Sequence, residues 1–135
     1  MTTKNTSHLA GEFLVAGELS RRGHPVSITM GNAKSVDIYA DSKKGVIRID
    51  AKAGRSKSNW PIKEDSVKED SWYIFVHLQT ENRIKENKPP EYFVVSGKEI
   101  LSRDLIDKWE TRQGIRYSTL NTNKYRERWN KLPPP

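Results

Sequence analysis

The polar and apolar positions near the start of the chain follow helical spacing. They predict a first helix from Ser7 to Arg22, capped by Ser7 or Thr6. The residues expected on its inward face are Leu9, Phe13, Ala16 and Gly17. Gly23 is placed to end the helix in a left-handed conformation, and Pro25 prevents its continuation.

The pattern then changes to the alternation of β-strands. Residues 26–30, 36–40 and 46–53 are each predicted to be a strand, with a turn at Gly31-Asn32 between the first two. The short connection from Asp41 to Gly45 predicts that the last two strands form an antiparallel hairpin. If Ser42 pairs with Gly45, the same register places Asp37 directly opposite Asp50.

The second half of the chain is less regular. Residues 54–70 and 111–123 carry no clear pattern, whereas residues 72–78 are apolar on both faces and predict a central strand. Residues 92–95 predict another strand. Ser96 and Glu99 form a capping box that opens a helix expected to run to about Trp109. Near the end, helical spacing relates Tyr125, Trp129 and Leu132.

This order of elements predicts one mixed α+β (α/β) domain over residues 1–132, with a sheet of about five strands. Residues 133–135, which are all proline, are expected to form a disordered tail. We expect a cytoplasmic protein with no membrane association, because no apolar run is long enough for a membrane span and no secretory signal is recognisable. The absence of cysteine excludes disulfides, thiolate metal sites and a cysteine nucleophile.

The charge balance points to a polyanionic partner. The chain has 24 Lys and Arg residues against 17 Asp and Glu residues, which gives a net charge of +7. A small domain with this excess attracts nucleic acid above all, although many basic proteins have no such partner.

Four charged residues occupy positions where apolar residues are expected. Glu12 borders the apolar face of the first helix, and Asp37 interrupts the second strand. Asp50 and Lys52 share one face of the third strand. Two carboxylates facing each other about 5 Å apart repel, so a divalent cation would stabilise the pair. A bound metal, two acids and a lysine are the components of a metal-dependent phosphodiesterase.

The Asp-x-Lys triplet alone is weak support for such a site. The chain contains three acid-x-Lys triplets, beginning at Asp41, Asp50 and Glu86, and only the one at Asp50 ends an apolar strand. The alternative is that all four residues are ordinary surface charges.

The residues Gly11-Glu12, Val36-Asp37-Ile38 and Ile49-Asp50-Ala51-Lys52 resemble the motifs of the PD-(D/E)XK nuclease superfamily. Residues 8–23 look like the first helix of its Holliday-junction-resolvase-like and intron-associated members, and of short bacterial proteins of the superfamily. The resemblance covers about residues 8–53. It departs from the pattern at Val36, where proline is common.

The resemblance implies a restriction-endonuclease-like fold, with a mixed central sheet flanked by helices and magnesium- or manganese-dependent hydrolysis of nucleic acid. Asp37, Asp50 and the Ala51 carbonyl would bind Mg²⁺ or Mn²⁺. Lys52 would be the catalytic lysine, and Glu12 an auxiliary acid able to bind metal.

Further residues are candidates for nucleic-acid contacts. Arg55 and Lys57 could bind phosphates, and Trp60 could stack on a base, although a solvated loop with a core tryptophan is the alternative. Arg126 and Arg128 are weaker candidates. His8, His24 and His77 show no metal-ligand spacing.

The function expected is a Mg-dependent DNA endonuclease, and cleavage of both strands would favour a homodimer. The alternatives are an RNA-directed nuclease and a non-catalytic binding or interaction module on the same fold, such as a toxin-neutralising protein.

Overall fold

The computed structural model describes residues 3–29 and 36–135, with side chains from Thr6 onward. Its helices and strands, in chain order, are α1 (Thr3–Arg21), β1 (Val26–Ile28), β2 (Ile38–Ser42), β3 (Gly45–Gly54), β4 (Asn59–Pro61), β5 (Ser71–His77), α2 (Glu81–Lys85), β6 (Glu91–Ser96), α3 (Gly97–Ser102), β7 (Asp107–Trp109), β8 (Arg112–Arg116) and α4 (Tyr117–Leu120). Short 3-10 turns lie at Glu64–Ser66 and Trp129–Lys131. The turn expected at Gly31-Asn32 and the end of the first expected strand lie outside the described residues. No helix in the described ranges is both long and apolar enough to cross a bilayer.

The larger sheet has five strands in the order β1-β2-β3-β5-β6. The β3–β5 pair is parallel, and the other neighbours are antiparallel. This mixed sheet, preceded by a helix, confirms the predicted fold class. The hairpin register is also confirmed, since Ser42 pairs with Gly45 and Ile38 with Ile49.

Helix α1 packs on one face of this sheet with a different stripe from the one expected. Its buried side chains after Gly11 are those of Glu12, Val15, Ala16 and Leu19. Ala16 is buried as expected and Leu9 is half-buried, but Phe13 is 55% exposed and Gly17 is exposed as well, so the expected inward face was wrong at these two positions. Gly11 explains why α1 is rotated about its axis relative to the expected orientation, because a Cβ there would clash with the Cβ of Ala53 in β3. The helix approaches the strand most closely along the Gly11 side.

Helix α1 ends as predicted. Gly23 has a φ of +102°, which favours glycine. The amide of Gly23 donates to the Ser20 carbonyl and that of His24 to the Leu19 carbonyl, each at 3.0 Å. These two bonds form a Schellman motif.

A second sheet, in the order β4-β8-β7, packs on the other face of the larger one. It was not predicted. The helix expected to run to Trp109 ends at Ser102, because Asp104 has a φ of +51° and Trp109 belongs to β7. The capping box of Ser96 and Glu99 that starts this helix is present, with both of its hydrogen bonds.

The C-terminal residues pack without a regular helix. Tyr125, Trp129 and Leu132 are all buried, but only one 3-10 turn forms among them. The Pro134 carbonyl accepts a hydrogen bond of 2.8 Å from the amide of Lys43.

Candidate metal centre and adjoining cleft

The candidate site lies where β2 separates from β3. Their ladder ends at the pair Ile38–Ile49, whereas β3 continues to Gly54 alongside β5. The strand expected from residue 36 starts at Ile38, so Asp37 immediately precedes it. Asp37 is 7% exposed, and its Oδ2 accepts a 2.9 Å hydrogen bond from the Ala51 amide. Its carboxylate thus takes the place of a backbone partner at this edge of β3.

Glu12 reaches the same edge from α1. The close approach of Gly11 to Ala53 brings the next residue of the helix to the sheet, where Glu12 is only 1% exposed. One possible ligand atom each from Glu12, Asp37 and His8 all lie within 4.8 Å of one another. Two carboxylates, separated by 25 positions in the sequence, therefore converge with an imidazole.

His8 was missed by the sequence analysis. Its Nε2 lies 3.4 Å from Oε2 of Glu12, and its side chain is 49% exposed. The spacing of four residues, which places two helical side chains on one face, was the available signal. The three histidines show no metal-ligand spacing among themselves, and only the distance of four residues from His8 to Glu12 carries the signal.

Asp50 and Lys52 lie on β3 beside this group. They alternate with the buried Ile49 and Ala51, so they share the opposite face of the strand, and both are half-buried. Asp50 pairs with Tyr73 of β5. Burial raises the pKa of the Tyr73 phenol, a hydrogen bond from the Lys68 amide opposes the rise, and the charge of Asp50 adds to it. The carboxylate of Asp50 is outside the 4.8 Å group formed by His8, Glu12 and Asp37.

The donor atoms suit a hard or borderline divalent cation. Carboxylate oxygens are the ligands that Mg²⁺ and Mn²⁺ prefer, and an imidazole nitrogen suits transition metals. Two carboxylates this close repel when both are ionised, and a cation between them relieves that repulsion. The residues present therefore fit a divalent metal ion.

The residues expected to contact nucleic acid have different environments. Trp60 is only 3% exposed, and its indole donates to the Val76 carbonyl, so it belongs to the core and has no free face for a base. Arg126 forms a salt bridge with Glu91 and lies over the ring of Phe93. Trp60 thus follows the core alternative, whereas the guanidinium of Arg126 is paired with a carboxylate of the chain itself.

Other members of that set stay near the surface. The Nε of Arg55 donates to the Ser7 hydroxyl at 3.2 Å, and Lys57 lies over the ring of Tyr117. Arg128 is exposed, and its guanidinium donates to the Asn123 carbonyl.

An open cleft of about 1000 Å³ adjoins Lys52. It lies between the end of β3 and the smaller sheet, and residues of β4 and of the β7–β8 hairpin line it. Lys52 is one of its lining residues, so a molecule held in this cleft would contact the Lys52 side chain.

Comparison with known proteins bears on this arrangement. No protein-family model matches the chain, and no curated protein sequence matches it. Among solved structures, it is similar to the bacterial homing endonuclease I-Ssp6803I, with a TM-score of 0.59. The similarity covers 97% of this chain and 91% of that chain. The chain shares its fold with a homing endonuclease. The sequence identity is 12%, so the likeness supports a nuclease-like fold, while membership of the PD-(D/E)XK superfamily stays a prediction.

Proposed function

We propose that this protein is a metal-dependent nuclease that hydrolyses phosphodiester bonds in DNA. The observation that carries the proposal is the convergence of Glu12, Asp37 and His8 at the edge of β3, beside Asp50 and Lys52. The similarity of the fold to that of a homing endonuclease supports it.

The acidic residues would hold Mg²⁺ or Mn²⁺. Asp37 and Glu12 provide carboxylates at the edge of the strand, and Asp50 follows the last β2–β3 pair. The N–H and C=O of one residue in a strand point to the same side, so the Ala51 carbonyl is expected to face Asp37 as its amide does. A bound ion of this kind polarises a phosphoryl oxygen and lowers the pKa of a water molecule.

Lys52 is assigned to the substrate side of the site. Its side chain lines the cleft, and no carboxylate in residues 3–29 and 36–135 forms an ion pair with it. Its ammonium can therefore orient a phosphate and stabilise the negative charge that develops during hydrolysis.

The test is a cleavage assay with Mg²⁺ or Mn²⁺ on supercoiled plasmid, linear duplex, single-stranded DNA, RNA and a four-way junction. Asp50→Ala and Lys52→Ala are expected to abolish cleavage. The matched controls are Glu86→Gln and Lys88→Ala, which alter an exposed acid-x-Lys triplet far along the chain and are expected to retain it.

Metal-dependent cleavage that the site variants lose and the controls keep would establish the nuclease, and the preferred substrate would separate DNA from RNA. If the folded wild type cleaves none of these substrates, the proposal is wrong, and a non-catalytic binding module becomes the better interpretation.

The described residues hold one candidate metal centre, which has a consequence for duplex cleavage. Two copies would be needed to cut both strands at once, so we expect a homodimer on DNA. Light scattering of the protein alone and bound to a duplex tests this expectation.

A further inference from the structure

The lining of the cleft beside Lys52 is strongly cationic. Four basic side chains line it, namely Lys52, Lys63, Arg112 and Arg116, and none of its lining residues is acidic. The chain as a whole carries 24 basic and 17 acidic residues, so this local separation exceeds the general excess of positive charge.

Most of these cations are not neutralised by the protein. Arg116 forms a salt bridge of 3.1 Å with Asp107 and covers the ring of Trp109. In the part of the chain that the structure describes, no carboxylate forms an ion pair with Lys63 or Arg112. Both residues are exposed, so their charges face the solvent of the cleft.

The hairpin that carries Arg112 is held firmly against the segment that carries Lys63. The Ile62 amide donates to the Gln113 carbonyl at 3.2 Å, and the Gln113 side chain accepts from the Glu64 amide at 2.8 Å. A salt bridge between Lys108 and Glu64 adds a third link. Gly114 permits this contact, because a Cβ there would lie 2.8 Å from the Trp60 carbonyl oxygen. The backbone segments that carry the two cations are therefore fixed relative to each other.

We propose that this cleft binds the sugar–phosphate backbone of the DNA strand that the protein cuts, with Lys63 and Arg112 on successive phosphates next to the one at Lys52. Unpaired cations in one cleft repel one another, and a polyanion relieves that repulsion while releasing its counterions. The cleft is open to solvent and lined by four cations, which suits a polyanionic strand better than a small molecule, since small ligands are usually enclosed in pockets.

The inference rests on the proposed function, because Lys52 connects the cleft to the candidate metal centre. It adds that Ile62, Lys63 and the lining residues of the β7–β8 hairpin form the wall that positions the substrate. Contacts of this kind fix the register of a nucleic acid without reading its sequence.

The experiment measures binding separately from cleavage. Fluorescence anisotropy follows a labelled DNA duplex of about two helical turns in EDTA, over a series of KCl concentrations. The proteins compared are wild type, Lys63→Gln, Arg112→Gln and the variant with both substitutions. The matched control is Lys43→Gln/Lys44→Gln, which removes the same charge from the exposed β2–β3 turn at the other end of β3.

Each single cleft substitution is expected to weaken binding about tenfold and to reduce the salt slope by about one. The double variant is expected to reduce the salt slope by about two. The control is expected to keep the wild-type slope. Thermal melting verifies that every variant is folded. A double variant with the slope of wild type would refute the cleft as the binding site, and so would a wild type that binds no duplex.

Failure of this inference is distinguishable from failure of the proposed function. If wild type cleaves DNA with metal but the cleft variants bind like wild type, only the cleft assignment is wrong. If the cleft variants lose binding but wild type cleaves no substrate, the cleft assignment holds and the nuclease proposal fails.

Discussion

Glu12 and Asp37 are acidic side chains at positions that usually hold apolar ones. A buried carboxylate costs free energy unless hydrogen bonds, cations or a metal compensate it. Asp37 has the Ala51 amide, and Glu12 has His8 within 3.4 Å. Because the two carboxylates lie together, their combined charge makes the edge of β3 the strongest candidate for a cation site.

The first prediction concerns metal binding by these residues. We expect Mn²⁺ to raise the melting temperature of wild type, since a ligand at one hundred times its Kd adds about 2.7 kcal/mol of stability. Glu12→Gln and Asp37→Asn should abolish most of that rise, because each removes an anionic ligand. Differential scanning fluorimetry with and without Mn²⁺ measures it.

The control for that prediction is Asp41→Asn, the same change at an exposed position of β2. It should keep the full metal-dependent shift. An equal shift in wild type and both site variants would show that the ion binds elsewhere or not specifically.

The second prediction concerns His8. An imidazole nitrogen favours Mn²⁺ over Mg²⁺, which prefers oxygen ligands. We therefore expect His8→Gln to lower Mn²⁺-supported cleavage more than Mg²⁺-supported cleavage. Cleavage rates are measured with each metal for wild type and variant. The ratio of the Mn²⁺-supported rate to the Mg²⁺-supported rate tests this prediction. The control is Lys44→Gln, an exposed residue of the β2–β3 turn, which should leave the ratio unchanged.

At the scale of elements, the packing of α1 on β3 positions Glu12. Gly11 contacts Ala53, so a larger residue must push the helix away from the strand. Gly17 lies on the same helix with nothing within 4 Å of its possible Cβ. The two glycines form a natural matched pair.

The third prediction uses this pair. Gly17→Ala should stabilise the protein by about 0.8 kcal/mol, because alanine favours a helix interior over glycine. Gly11→Ala gains the same propensity but has to displace Ala53, so we expect net destabilisation and reduced metal binding. Urea unfolding and the Mn²⁺-dependent melting shift measure the two effects. Equal stabilisation by both substitutions would show that α1 does not need this close contact.

The elements that sequence could predict are those with local signals. The helix α1 with its Gly23 terminus and the β2–β3 register follow from periodicity, glycine and a short turn. The smaller sheet lacks such signals. Two of its strands have only three residues, and its hairpin turn uses Glu110 at a φ of +40° in place of glycine or asparagine.

The same distinction applies to the site. The positions of Asp50 and Lys52 along β3 could be read from alternation, and Asp37 could be placed at the end of the hairpin from its register, although it precedes β2 and does not belong to it. Glu12 could be placed at the edge of the helix face. The rotation of α1 about its axis depends on the contact between Gly11 and Ala53, which links residues 42 positions apart. That tertiary contact also brings His8 to the acids, so the sequence pattern alone did not identify it.

At the scale of the whole molecule, Glu91 joins the two layers. From β6, its carboxylate contacts the His77 Nδ1 of β5 at 2.7 Å, the Tyr117 hydroxyl of α4 at 2.9 Å and the Arg126 guanidinium at 2.6 Å. The other ring nitrogen of His77 lies 3.1 Å from the Arg55 carbonyl, in the segment after β3. This network connects the central strands with α4, which follows the smaller sheet, and with the C-terminal residues.

The fourth prediction follows from the charge of Glu91. Burial raises the pKa of this carboxyl, but hydrogen bonds from His77, Arg126 and Tyr117 outweigh it and hold the pKa below its ordinary value of 4.5. A group whose pKa is lower in the folded state contributes stability above its unfolded pKa, and this contribution disappears as the pH falls through the folded pKa. Glu91→Gln should therefore cost about 2 kcal/mol at neutral pH, where it removes charge-assisted bonds, and progressively less below pH 4.5. Urea unfolding at a series of pH values gives the difference in unfolding free energy between variant and wild type.

The control Glu86→Gln, at an exposed position after α2, should show almost no difference from wild type at any pH. A Glu91→Gln deficit that stayed constant from neutral to acidic pH would mean that the network stabilises the protein by packing and not through the ionised carboxylate.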